Sequence, residues 1–180
     1  MNLQTVLNNA AKISVDSPAL KKMGMSASAV ALAMSSIMLF EGVVLRTYKD
    51  PVGILTACYG HTGPDVKAGQ KYTKEQCQAL LEKDMVKHAK ALNCVKDAPL
   101  TQTQKAAYVS FAYNVGVGGF CNGSVAKKAN AGDMHGSCDA MLLYNKARKN
   151  GKLVVLPGLV KRRNVENAIC KMELEPKDAK

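Results

Sequence analysis

Between Met23 and Phe40 the chain runs for eighteen residues without a charged side chain, and that stretch restricts the fold more than any other. As a helix it would be about 27 Å long, close to the hydrocarbon thickness of a bilayer. Four Met, four Ser, four Ala and one Gly, with Val30, Leu32, Ile37, Leu39 and Phe40, make it only weakly hydrophobic. Membrane residence would therefore be marginal compared with a Leu-rich span. Two readings stay open: a membrane segment with Lys21 and Lys22 on its cytoplasmic flank, or a helix buried in a protein core. Both can hold at different times. Ala27, Ala29, Ala31 and Ala33 give only weak cleavage-site matches, with no polar mature start behind them. Upstream, Leu3, Val6, Leu7 and Ala10 have helical spacing, and Asp16-Ser17-Pro18 breaks it where Pro can open a new helix.

The 180 residues fit one globular domain, because 47% apolar residues suffice for a core and 22% charged residues exclude a disordered chain. The net charge of +11 favours polyanionic partners: nucleic acid, an anionic membrane face or an acidic cell wall. Only Lys12, Asp16, Lys21 and Lys22 carry charge before Glu41, so the basic character belongs to the main domain. Lysines are dispersed, with three Phe and no Trp, which argues against a nucleic-acid reader. Cys58, Cys77, Cys94, Cys121, Cys138 and Cys170 are even in number and lack CxxC or CxxH spacing. They suit a disulfide framework in an oxidising compartment better than a metal site, and fifteen connectivities or six buried free thiols remain possible.

Chemistry concentrates in residues 41–63. A helical apolar run ends at Glu41-Gly42, and Leu45–Lys49 and Ile54–Tyr59 read as two strands around the turn Asp50-Pro51-Val52-Gly53. Glu41 at a helix end and Asp50 on a hairpin can supply the two carboxyl groups that glycoside cleavage needs. A carboxyl partly shielded from water at a helix C-terminus suits the general acid, and one in a polar turn suits activation of water. Spacing alone would more often mean salt bridges or a helix cap.

The surrounding residues decide the matter. Glu41-Gly42, Asp50, Thr56 and Gly60-His61-Thr62-Gly63, followed by Tyr72-Thr73, Pro99-Leu100-Thr101, Phe111-Ala112-Tyr113-Asn114 and Pro157-Gly158-Leu159-Val160-Lys161-Arg162-Arg163, resemble the phage lysozyme family, glycoside hydrolase family 24. The resemblance covers about residues 33–173, and lambdoid phage endolysins are similar in cysteine pattern. It implies an endo-muramidase that cuts the β-1,4 bond between N-acetylmuramic acid and N-acetylglucosamine, with Glu41, Asp50 and Thr56 as its catalytic triad. Thr56 would orient the attacking water, with inversion at the sugar. The pairs Cys58–Cys77, Cys94–Cys121 and Cys138–Cys170 are implied as disulfides. Lambdoid relatives also imply a signal-anchor-release role for residues 23–40: transient tethering to the inner membrane, then release to the host periplasm. The other route is cytoplasmic residence until a holin opens the membrane.

Around this triad, His61 reads as a structural histidine paired with a carboxylate. Asn114 could bind a sugar N-acetyl group, or cap its helix. Arg162 and Arg163 diverge by about 100° on a helix, so only one is expected at the cleft; Arg162 is assigned there as a substrate-side residue, the resemblance implies that an arginine in this region pairs with the catalytic acid, and a solvated basic face is the alternative. No metal or other cofactor is expected, and the chain should act as a monomer on peptidoglycan without nucleic acid. The competing function is a noncatalytic, basic module that binds cell wall or nucleic acid. The expected fold class is α+β and mostly helical: a small hairpin lobe and a larger helical lobe joined by a long helix, with residues 1–32 an extension and 33–180 the catalytic domain. Helices are expected over 73–93, 103–115, 122–130, 133–149 and 158–172.

Overall fold

The computed structural model describes residues 2–50, 52–149 and 151–174; Pro51 of the expected turn, and 175–180 of the expected catalytic domain, lie outside them. Two short helices, α1 (Leu3–Ala10) and α2 (Pro18–Lys22), precede α3 (Ala27–Glu41). A three-stranded antiparallel sheet follows in the order β1 (Val44–Lys49), β2 (Leu55–Cys58), β3 (His61–Thr62). The long helix α4 (Lys74–Ala89) then leads through a 3₁₀ turn to α5 (Gln102–Val115). Both helices start at a capping box, Thr73 with Gln76 and Thr101 with Gln104, which satisfies amides that a helix start leaves open.

The charge-free run becomes the core helix α3, and every residue from Ala29 to Ile37 is buried. It packs on α1, α4, α5 and α9 (Pro157–Lys171). Its alanines let neighbouring helices approach closely, and its serines are satisfied inside the core. Ser35 Oγ donates to the Val6 carbonyl at 2.8 Å, and Ser36 Oγ lies 3.0 Å from Ser110 Oγ. Val6 and Leu20 are fully buried, with α1 packed on α3 and α2 on α4. Among the described residues no helix is long and apolar enough to cross a membrane.

The helical lobe continues with α6 (Val117–Cys121), α7 (Ser124–Asn130) and α8 (Met134–Ala140). One expectation fails here. The helix expected over 133–149 stops at Ala140, and a second hairpin, β4 (Lys146–Lys149) and β5 (Lys152–Val155), takes its place. Gly151 at φ +78 supplies the left-handed turn residue, and the β-branched Val154-Val155 pair suits a strand. Three disulfides staple the molecule: Cys58–Cys77 ties β2 to α4, Cys94–Cys121 ties the 3₁₀ turn to α6, and Cys138–Cys170 ties α8 to α9.

Candidate active site

Glu41 is the last residue of α3, and Gly42, at φ +68, turns the chain directly into β1. A side chain at Gly42 would be strained in this conformation. The Glu41 side chain is held from α9. Arg162, 4% exposed, donates from Nη1 to Glu41 Oε1 at 2.5 Å, from Nε to Glu166 Oε1 at 3.0 Å and from Nη2 to the Ser110 carbonyl at 3.1 Å. Its guanidinium also sits 5.6 Å from the centre of the Phe40 ring. Burial alone would lower the Arg162 pKa, but the charges of Glu166 and Glu41 outweigh it and hold the group above its ordinary value. Among the described residues nothing donates to Glu41 Oε2, so one carboxyl oxygen is fixed and the other is available.

Behind this contact runs a buried polar chain. Ser36 on α3 meets Ser110 on α5, Ser110 Oγ donates to Glu166 Oε1 at 2.9 Å, and Glu166 holds Arg162. Arg163 also reaches a site residue, through Nη2 to Asn114 Oδ1 at 2.5 Å, and its guanidinium lies 4.7 Å from the Phe111 ring centre. Burial pulls its pKa down to about 10, with Glu166 opposing. Its Nη1 is 3.1 Å from Glu166 Oε2, an ion pair too poorly aligned to count as a hydrogen bond, since both atoms lack one among the described residues. Both adjacent arginines therefore bond to candidate site residues, while only Arg162 lines the cleft beside Glu41. That cleft, of about 590 Å³, is walled by Phe40, Glu41, Asn114, Leu156, Pro157 and Arg162, with Lys161 at its edge. Because Arg163 occupies the Asn114 carbonyl oxygen, the Asn114 amide nitrogen is the atom left to donate.

Asp50 and Thr56 are joined through the main chain of one residue, Ile54. The Ile54 N–H donates to Asp50 Oδ1 at 2.8 Å, and its carbonyl accepts from the Asp50 N–H at 2.9 Å and from Thr56 Oγ1 at 3.1 Å. Val52 N–H adds a second donor to Asp50 Oδ1 at 3.0 Å. Thr56 is buried and pairs with Tyr48 across the sheet. Glu41, Asn114 and Arg162 thus form one group and Asp50 and Thr56 another, connected by Gly42-Val43 and β1.

His61 lies outside the cleft. Its Nδ1 is 2.6 Å from Asp84 Oδ2 on α4 and its Nε2 is 3.2 Å from Asp65 Oδ1, with the ring buried. Tyr113 donates from its hydroxyl to the Tyr59 carbonyl at 2.9 Å, joining α5 to the end of the hairpin. Glu166 and Ser110 escape a reading based on sequence, and Arg163, read there only as the alternative to Arg162, is found bonded to Asn114. The i,i+4 spacing of Arg162 and Glu166 was the available signal, but it normally marks a solvated pair.

A carboxyl group at the end of a buried helix, leading into a hairpin that carries a second carboxyl and a hydroxyl, suits a glycoside hydrolase of the lysozyme class. Comparison with known proteins agrees. The model of the phage lysozyme family matches residues 38–166. A SAR-endolysin of Bacteriophage PS119 is 40% identical over 163 residues, covering 86% of this chain and 95% of the relative. Among solved structures, an endolysin from Escherichia coli O157:H7 phage FAHEc1 has 36% identity and a TM-score of 0.72, covering 81% of this chain and 94% of that one. The muramidase domain of SpmX from Asticaccaulis excentricus has 33% identity and a TM-score of 0.73, covering 80% and 95%. The chain belongs to the phage lysozyme family. It is an endolysin, an enzyme that lyses peptidoglycan.

Proposed function

We propose that this endolysin cleaves the β-1,4 bond between N-acetylmuramic acid and N-acetylglucosamine, with Glu41 as general acid, Asp50 as the group that activates water and Thr56 as the residue that orients it. The observation that carries this reading is the division of labour within each carboxyl group. Glu41 commits Oε1 to Arg162, which leaves Oε2 to deliver a proton to the departing sugar oxygen. Asp50 commits Oδ1 to two main-chain amides, which leaves Oδ2 to take a proton from water. Thr56 spends its hydroxyl proton on Ile54 and keeps its lone pairs for the other hydrogen of that water. A water pinned at both hydrogens presents its oxygen to the anomeric carbon, and attack from the face opposite the leaving group inverts that centre. Asn114 offers its amide N–H₂ to the sugar, and Arg162 acts by positioning Glu41.

Zymography on purified peptidoglycan tests the assignment. Wild type should clear the substrate, and Glu41→Gln should be slower by about 10² to 10⁴-fold, the usual contribution of a positioned proton donor. A Glu41→Gln enzyme within tenfold of wild type would remove Glu41 from that role. Nuclear magnetic resonance of the first-formed product reports the anomer, and the α form supports inversion.

The relatives named SAR-endolysins support a second element of the reading. Residues 23–40 tether the new protein to the inner membrane, with residues 1–22 on the cytoplasmic side, and leave it when the chain folds in the periplasm. In the membrane, α3 is parted from Ser110 and Glu41 from Arg162, so tethering and inactivity are one state.

A further inference from the structure

From residue 140 to residue 165 the chain carries no acidic side chain and seven basic ones. Arg162 and Arg163 are buried against Glu41 and Glu166. The other five, Lys146, Arg148, Lys149, Lys152 and Lys161, are exposed, and among the described residues none forms an ion pair. Elsewhere five lysines pair with carboxylates: Lys21 with Asp16, Lys83 with Asp65, Lys87 with Asp84, Lys128 with Asp133 and Lys171 with Asp139. Other lysines, Lys67 and Lys71 among them, form no ion pair among the described residues either, but the β4–β5 hairpin is set apart by lying in a run with no acidic residue to offset its charge.

That hairpin also exposes aliphatic side chains. Its register places Lys146 opposite Val155 and Arg148 opposite Leu153. Alternate residues of a strand share a face, so these four lie on one side of the ribbon, with Ala147, Val154, Lys149 and Lys152 on the other, the last two at the turn end. Leu153 is 63% exposed, Val155 53%, and Leu143 just before the hairpin 70%. Arg148 is braced by a 3.1 Å hydrogen bond from Nη1 to the Gly151 carbonyl, which keeps its guanidinium on the ribbon. A soluble polyanion would use the cations and gain nothing from the aliphatic groups. An anionic lipid surface uses both, because lipid phosphates attract the charges while the interface takes apolar groups out of water.

We propose that the β4–β5 hairpin is a peripheral membrane-docking element that seats the folded enzyme on anionic phospholipid. This contact is separate from residues 23–40, of which 29–37 are buried in the folded enzyme. The hairpin runs straight into Leu156 and Pro157 of the cleft wall, so a docked enzyme holds its cleft next to the bilayer surface. The contact does not depend on which glycan bond is cut.

Flotation of the purified, folded full-length protein with vesicles tests this. Vesicles of phosphatidylglycerol and phosphatidylethanolamine should bind wild type at low salt, and vesicles of phosphatidylcholine should not. Each basic residue near an anionic surface strengthens binding about fivefold, so changing Lys146, Arg148, Lys149 and Lys152 together to Gln should weaken it by about a hundredfold or more. Leu153→Ser with Val155→Ser should weaken the binding that survives raised salt. Both variants alter exposed side chains and should keep the wild-type melting temperature and hydrolysis of solubilised peptidoglycan. Equal vesicle binding by wild type and both variants would overturn the proposal and assign any binding to insertion of α3. No binding by wild type would overturn it outright. Unchanged vesicle binding with a raised KM on peptidoglycan in the Gln variant would also overturn it, and would make the hairpin a reader of the acidic peptides on the glycan.

Discussion

Arg162 and Glu41, separated by 121 positions in the sequence, meet at 2.5 Å, and this one contact fastens the end of α3 to α9. Glu166, one turn further along α9, fixes the guanidinium from behind, so the orientation of the proposed acid is set by a residue that never reaches the cleft.

Arg162→Met is expected to cost about 3 to 5 kcal/mol of stability, because it leaves a carboxylate buried with half of its compensation gone. Arg163 cannot replace it, being badly aligned to Glu166 and committed to Asn114. Combining Arg162→Met with Glu166→Gln should recover part of that loss in a denaturant titration without recovering turnover. Restored turnover in the double variant would show that Glu41 needs no guanidinium beside it.

Thr56→Val keeps the shape of a buried β-branched residue and removes one hydrogen bond. The Ile54 carbonyl still accepts from the Asp50 N–H, so the fold should lose only about 1 kcal/mol. Turnover should fall much further than stability, and Thr56→Ser should restore part of it. Equal activity of the Val and wild-type enzymes would sink the proposal that the hydroxyl orients water.

Part of this arrangement is legible from sequence because it is local. Glu41, Gly42, Asp50 and Thr56 lie within sixteen residues, and turn chemistry, strand alternation and family resemblance all act at that range. The buried chain from Ser36 through Ser110 and Glu166 to Arg162 draws on three helices, and no periodicity announces which polar residues will meet inside a core. The same limit hides the second hairpin. Residues 141–143 continue from α8 as a 3₁₀ turn, and the Lys-rich segment after them has no apolar alternation strong enough to separate strand from helix. The charge-free run admits two readings because its Ala and Ser content suits a weak membrane span and a closely packed core helix equally well.

Asp65 sets a limited acid sensitivity. Its hydrogen bond from Lys83, followed by main-chain and His61 contacts, holds its pKa at about 2, below its ordinary 3.8. A carboxylate lowered in the folded state adds stability above its unfolded pKa and loses it as pH falls through the folded value. Asp65→Asn should therefore melt slightly below wild type at neutral pH, and the two melting curves should converge between about pH 4 and pH 2. A gap that widens on acidification would contradict the assignment.

The bond between Cys138 and Cys170 closes a loop with a sequence separation of 32 and anchors the same helix that carries Arg162 and Glu166. Cys138→Ala with Cys170→Ala should lower stability by about 3 to 4 kcal/mol on the loop-entropy account. Activity at low temperature should survive, since neither sulfur touches a proposed catalytic group. Loss of turnover in a folded, cold-assayed variant would show that the staple sets the position of α9 at the cleft.

The tether reading can be tested by strengthening α3 as a membrane segment without disturbing it as a core helix, and the structure dictates where. Ser35 and Ser36 are buried and hydrogen bonded to Val6 and Ser110, so Leu at either would overpack the core and break the polar chain to Glu166. Ser26 caps the helix through the Ala29 amide and is equally unsuitable. Ala27 and Ser28 are exposed in the first turn, so Leu can be added at both with little cost to the folded enzyme. Each Leu favours membrane insertion by a few tenths of a kcal/mol at a helix centre and by less near an end, so the expected effect is delay. Cells making Ala27→Leu with Ser28→Leu should hold more enzyme in the membrane fraction and lyse later than cells making wild type. The purified variant, folded in solution, should match wild type in melting temperature and in hydrolysis of peptidoglycan. An unchanged lysis time with wild-type enzyme confined to the cytoplasm until a holin acts would reject tethering and leave α3 as a core helix alone.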